Sequence, residues 1–442
     1  MRPDETLDII RHSARWFEGG LEGVSPIVEA IGDARVVLIG EASHGTDEFY
    51  RFRADITTAL IEQKGFNLVA VEADWPDAYR VNRWVRHESD DADAETALGD
   101  FTRFPRWMWR NDAVVEFISS LRRRNGDRRA DARVGFYGLD LYSLHTSMEA
   151  VLAYLAKVDP DGARRARQRY ACFDHFPQDS QAYGYAATVG LSRSCEDEVV
   201  SQLSELRRRA AEYSSRDGRI AADDYFFAEQ NARLVRNAEE YYRAMFGRRV
   251  ESWNLRDTHM METLDALLDW TAGRQGVARA VVWAHNSHLG DARATQMGEW
   301  GELNLGQLVR ERFGDDACLI GFSTHSGTVT AARDWDAPAE QRRVRPSLEG
   351  SYERLFHETG LGRFVVNLRD EPLRQTLTPS RLERAIGVIY VPETERASHY
   401  FRAHLPRQFD LMIHVDETHA VVPLERWSRE ESDVPETYPT GI

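Results

Sequence analysis

Apolar residues arrive in two rhythms along this chain, and the change of rhythm divides it into three zones. Up to residue 144, short apolar runs at 35–39, 67–71 and 134–137 each end in a polar turn and give way to a helical pattern. That is the mark of βαβ units, in which a parallel strand buried on both faces reads as an unbroken apolar run. Between 145 and 275 the strand runs stop. Phe227, Leu234, Ala238, Tyr241 and Met245 recur there at spacings of seven, four, three and four, which puts them on one helical face. The zone reads as a helical insertion, and its aromatic stripe reads first as core. From 276 to 442 the alternation returns, with apolar runs at 280–284, 318–323, 364–367, 386–391 and 411–415 and a helix over 303–313. Right-handed crossovers make the expected sheet largely parallel and flanked by helices, an α/β fold with the insertion as one wall of a cleft.

A chain of 442 residues exceeds the usual single core, which agrees with an inserted subdomain. Its formal charge is −16, so nucleic acid is not an expected partner. The basic runs Arg122–Arg124 and Arg207–Arg209 sit among acidic residues and read as solvated helix faces. The three cysteines, Cys172, Cys195 and Cys318, are far apart and odd in number, which predicts free thiols and a reducing compartment. No leader segment and no membrane-spanning run is visible, so the expected location is the cytoplasm.

The chemistry collects after the apolar runs. The run at 35–39 leads into Gly40-Glu41-Ala42-Ser43-His44-Gly45, and the run at 67–71 into Glu72-Ala73-Asp74-Trp75. The others lead into Asp140, into His285-Asn286-Ser287-His288 and into Thr324-His325. A lone glutamate there ordinarily serves a helix N-terminus, and a lone histidine ordinarily serves packing. Asp140 alone fits a helix N-cap. Ionisable groups after five parallel strands are more simply one site, because ligands of open parallel sheets bind at the carboxyl ends of the strands.

Three chemistries could use these residues. Histidines and carboxylates bind metals, and His285-x-x-His288 supplies a local pair, but the chain has no H-E-x-x-H and no cysteine ligand cluster. Ser43 sits in E-x-S-x-G and Ser323 near Gly321, both short of the G-x-S-x-G elbow, whose first glycine lets the turn close. The third is general-base hydrolysis. His44 takes a proton from water, Glu41 or Glu72 fixes its tautomer, and His285 or an arginine meets the developing oxyanion. A binding protein that holds a metal or haem in the same cleft without turnover is the rival outside enzymology.

The same residues resemble a known family. Gly40–Gly45 with Glu48-Phe49 and Arg53, Val71–Trp75, Phe104–Asn111, Trp253–Met260, Trp283–His288 and Gly321–Gly327 are together similar to the motifs of erythromycin esterases. The resemblance spans about residues 30 to 425. It implies a sheet-based core with a helical part and a deep cleft. It implies His44 as general base, with Glu41, Glu72 and His285 as its catalytic companions. It implies substrate contacts from Arg53 and His288. The expected substrate is a small-molecule ester, a macrolide lactone among the candidates, with no required cofactor and room for a divalent ion that catalysis does not need. Trp107, Trp109 and the Tyr241-Tyr242 pair are candidates for an apolar cleft wall or for core.

Overall fold

The computed structural model describes residues 3–176, 180–214, 219–246 and 249–425. Its strands are β1 (Val36–Ile39), β2 (Leu68–Asp74), β3 (Gly135–Asp140), β4 (Ala280–Trp283), β5 (Ala317–Ala331), β6 (Glu340–Val344), β7 (Arg363–Asn367), β8 (Arg381–Arg384), β9 (Tyr400–Ala403) and β10 (Leu411–Thr418). The main sheet runs β3-β2-β4-β1-β5-β10-β7, with β6 paired to the far end of β5. Its first six strands are parallel, while β7 and β6 join antiparallel. The architecture is therefore α/β with a mostly parallel sheet.

The unbroken apolar runs are explained by burial on both faces. Val36 and Leu38 point to one side with Leu68, Ala280, Val282 and Leu319, against the helices between β3 and β4. Val37 and Ile39 point to the other with Val69, Val281, Trp283 and Ile320, against the helices Asp47–Lys64 and Asp112–Gly126. Among the described residues between β3 and β4 every regular element is a helix, ending in Arg219–Met245 and Arg249–Gln275. No helix among the described residues is long and apolar enough to cross a membrane.

Three expectations need correction. The run at 386–391 forms no strand. It crosses the sheet edge by single bridges, Ser43 to Ile386 and Ala332 to Ile389, and buries Ile386 and Tyr390 against Val329, Ala331 and Val344. Its apolar side chains serve a small satellite core, and β8 and β9 pair with each other instead. Second, β5 does not stop at Ser323. It continues to Ala331, paired with β10 as far as Gly327, and carries His325 away from the cavity, where the ring stacks on His357 at 3.6 Å and meets Ser347 Oγ at 2.6 Å. Third, Cys172 and Cys195 are joined by a disulfide within the helical part, so only Cys318 is a free thiol. The bridged cysteines are 23 positions apart in sequence, a distance that helix packing closes and spacing alone does not reveal.

Candidate active site

The loop after β1 has no room for side chains at two points. A Cβ on Gly40 would meet the Asn286 amide, and one on Gly45 would meet the backbone of Thr330. Asn286 accepts from the Phe322 N–H at 3.3 Å and donates to the Phe322 carbonyl at 2.8 Å, while its own N–H donates to the Glu41 carbonyl at 2.9 Å. The ends of β1, β4 and β5 are thereby locked together, and the loop is pressed into one conformation.

That loop turns Glu41 and His44 toward each other. Glu41 is fully buried, and its Oε1 lies 2.8 Å from His44 Nδ1. Its Oε2 lies 2.6 Å from Arg53 Nη2, an ion pair that is not aligned as a hydrogen bond. The Arg53 guanidinium is enclosed by the Tyr50 and Trp283 rings at 4.5 and 5.0 Å. Arg53 does not line the cavity, so the expected substrate contact becomes a buried support beneath Glu41. The Tyr50 hydroxyl donates to the carbonyls of His44 and Met108 at 2.7 and 2.8 Å and ties the loop down.

Glu72, at the end of β2, lies at the centre. Its Oε2 accepts the backbone N–H of His285 at 2.8 Å, and its Oε1 accepts from Arg256 Nη2 at 2.7 Å and lies 3.3 Å from His288 Nε2. Burial works against its charge, but His288 and Arg256 outweigh burial and hold it well below the usual carboxylate range. His285 packs 4.8 Å from the His44 ring. Its Nδ1 accepts the Ser287 N–H at 3.2 Å, so in the neutral ring Nε2 carries the proton. Burial, helped by His44, lowers its pKa to about 3 and keeps it uncharged.

The cavity over these residues measures about 1250 Å³. His44, Glu72, Asp140, His285 and His288 line its floor; Trp109, Tyr241, Tyr242 and Met245 line its wall; Trp300 and Trp335 stand at its exposed rim. The aromatic stripe is thus divided, since half-buried Phe227 stacks on Tyr79 at 4.0 Å away from this cavity while Tyr241 and Met245 reach it. Trp107 is buried core. Ser43 is buried, bonded to the Thr46 hydroxyl, and absent from the cavity wall. Ser323, His414 and Asp416 have triad-like spacing, with 3.0 Å from Ser323 Oγ to His414 Nδ1 and 3.2 Å from His414 Nε2 to Asp416. None of the three lines the cavity, and Ser323 and His414 are sealed between strands.

A profile of erythromycin esterases matches residues 61–418, about four-fifths of the chain. The chain belongs to the erythromycin esterase family. Erythromycin esterase type II of Escherichia coli is 22% identical over 411 residues, covering 89% of this chain and 92% of the relative. A putative hydrolase of Bacillus subtilis (strain 168) is 22% identical over 321 residues, 68% of this chain and 67% of that one. Among solved structures, a succinoglycan biosynthesis protein superposes with a TM-score of 0.74 at 19% identity, over 95% of this chain and 98% of its own. A variant of the erythromycin esterase EreC in its open conformation superposes at 0.65 with 16% identity, over 90% and 94%. At these identities the structures establish the fold, and family membership supports an ester hydrolase.

The cavity also draws on residues that strand ends did not reveal. Trp253, Arg256 and Asp257 come from the N-terminal third of the helix Arg249–Gln275. Arg256 Nη2 also donates to Asp140 Oδ2 at 2.6 Å and Nε to Asp140 Oδ1 at 3.0 Å, with Tyr142 stacked 4.8 Å away. Arg256 therefore bridges β2 and β3 from the helical side. The signal that could have found it is the Trp253–Met260 motif itself, which puts Trp253, Arg256 and Asp257 at i, i+3 and i+4 on one helix face.

Proposed function

We propose that the protein hydrolyses a bulky carboxylic ester by attack of a water molecule that His44 deprotonates. The observation that carries this reading is the Glu41–His44 pair. Glu41 occupies Nδ1, and His44 Nε2, with no hydrogen-bond partner among the described residues, is left for the cavity. A carboxylate on Nδ1 fixes the tautomer and stabilises the imidazolium that forms when water gives up its proton. Neutral His285, packed 4.8 Å from the His44 ring, holds that ring in place without competing for the proton. In this reading Glu72 holds His285 and Arg256, Arg53 holds Glu41, and the aromatic wall takes the apolar part of the substrate.

A macrolactone of the kind named for the relatives is a candidate ester for a cavity of about 1250 Å³. The reaction needs no metal in this reading. Glu41 already serves His44 and Arg53, and Glu72 already serves Arg256 and a backbone N–H. The carboxylates are spent on protein partners, and a metal on His44 Nε2 would remove the lone pair that the base requires. The test is incubation with a panel of macrolides, sugar esters and simple alkyl esters. A mass gain of one water supports the reading, and a panel left intact by folded protein contradicts it.

A further inference from the structure

A second carboxylate–histidine pair lies across Glu72 from the first. We propose that His288, positioned by Asp257, is the general acid that protonates the leaving alkoxide as the ester C–O bond breaks. The proposal rests on His44 being the base for water.

The geometry separates the two nitrogens of His288. Both oxygens of the buried Asp257 carboxylate lie close to Nδ1, at 3.0 and 2.9 Å, so Nδ1–H is a permanent donor. Asp257 is itself held by the Leu305 N–H at 2.8 Å. The imidazole lies flat on Trp253, with ring centres 4.5 Å apart and planes 8° apart. Ring rotation is blocked, and only Nε2 can exchange a proton with the cavity.

Nε2 has one partner for each protonation state. Glu72 Oε1, 3.3 Å away, faces the protonated ring as an ion-pair partner, whereas Arg256 Nη1 at 3.0 Å can donate to Nε2 only once the proton has left. Either form keeps a partner of the right charge without a side chain moving. A histidine that served packing alone would need one partner, not two of opposite sense.

The surrounding charge favours the loaded form. The groups facing His288 are Asp257 and Arg256 from the helix, Glu72 from β2 and neutral His285 from its own segment, with Asp140 behind Arg256. Three carboxylates against one guanidinium leave room for a second positive charge. Burial pulls the His288 pKa down, but Asp257 and Glu72 outweigh burial and Arg256 and raise it to about 9. His285, between the two pairs, is driven the opposite way. Environments that push neighbouring titratable groups apart are how one site runs acid and base chemistry together.

The protons balance. Water loses one O–H proton to His44 Nε2 as its oxygen bonds the carbonyl carbon. Collapse of the tetrahedral intermediate breaks the ester C–O bond, and the departing oxygen takes the Nε2 proton of His288. The acid product ionises, so of the protons on it and on His44 one reloads His288 and one reaches solvent.

The test uses the full-length enzyme and leaving groups of different basicity. An alkoxide needs a proton to leave and p-nitrophenolate does not. His288→Gln should lower kcat on an alkyl ester by about 10²-fold or more beyond whatever it costs on the p-nitrophenyl ester of the same acid. Asp257→Asn should move the alkaline limb of the alkyl-ester profile to lower pH. Independently of turnover, imidazole ¹⁵N NMR should show the resonances absent from His288→Gln titrating near 9 in the wild type. Equal losses on both esters, an unmoved limb, or a His288 neutral at pH 7 would overturn the proposal. Wild-type enzyme that cleaves neither ester would instead count against the esterase reading.

Discussion

Glu41 binds His44 through Nδ1 at 2.8 Å across three residues of one loop, with both side chains on the carboxyl edge of β1. The pair is local in sequence, yet its orientation is set from outside. Asn286 and Arg53 fix Glu41, and Tyr50 fixes the His44 carbonyl.

The first prediction concerns which side chain does the chemistry. His44→Asn should lower kcat/KM by about 10²–10⁴-fold with the fold intact, because it removes the base. Ser43→Ala should stay within about threefold, since Ser43 faces Thr46 and not the cavity. An acyl-enzyme on Ser43 seen by intact-protein mass spectrometry would reverse the assignment.

Arg53 is expected to act through Glu41. Replacing it by Met strands a buried carboxylate, a change that costs about 3–5 kcal/mol for pairs of this kind, readable as a shift in urea unfolding. In Arg53→Lys, which keeps the charge, kcat should fall while KM holds. A raised KM with unchanged kcat would mean that Arg53 touches substrate after all.

The buried histidines give stability opposite dependences on pH. His259 and His285 are held neutral, each near 3, by burial, with Asn237 and the Ser287 N–H respectively donating to Nδ1. Unfolded histidines protonate near about 6.5, so the unfolded chain binds more protons below that pH and stability falls as pH drops toward 3. His288 has the opposite sign: its contribution is complete below about 6.5 and is lost as pH rises through about 9. Asp77, raised to about 8 by burial and then by Asp74 and Asp100, adds to the alkaline loss and offsets only one of the two histidines on the acid side. Between pH 6.5 and 9, melting temperature should fall less steeply in His288→Gln than in wild type. An equal or steeper fall in His288→Gln would contradict these charge states.

Four of the five expected strand ends reach the site because parallel strands buried on both faces leave apolar runs that stop where the chain meets the cavity. Glu41, Glu72, Asp140 and His285 mark those stops. His325 was misplaced because β5 continues for residues whose polarity resembles a turn: beyond the core, Thr324–Thr328 pairs with β10 and β6 through backbone groups that carry no side-chain signature. Arg256 and Asp257 were hidden for another reason. A long helix offers polar residues on several faces, and the face turned to the cavity is chosen by packing against β2 and β3. The disulfide and the Ile386–Tyr390 crossing likewise depend on contacts between distant segments.

The most direct test of the central claim is ester hydrolysis by wild-type and His44→Asn enzyme after exhaustive dialysis against a chelator, with metal content measured in the same samples. The account predicts that metal-free wild type keeps its full rate and that His44→Asn has almost none. Wild-type activity that disappears with the metal and returns in proportion to added zinc or manganese would contradict the assignment of His44 as the base.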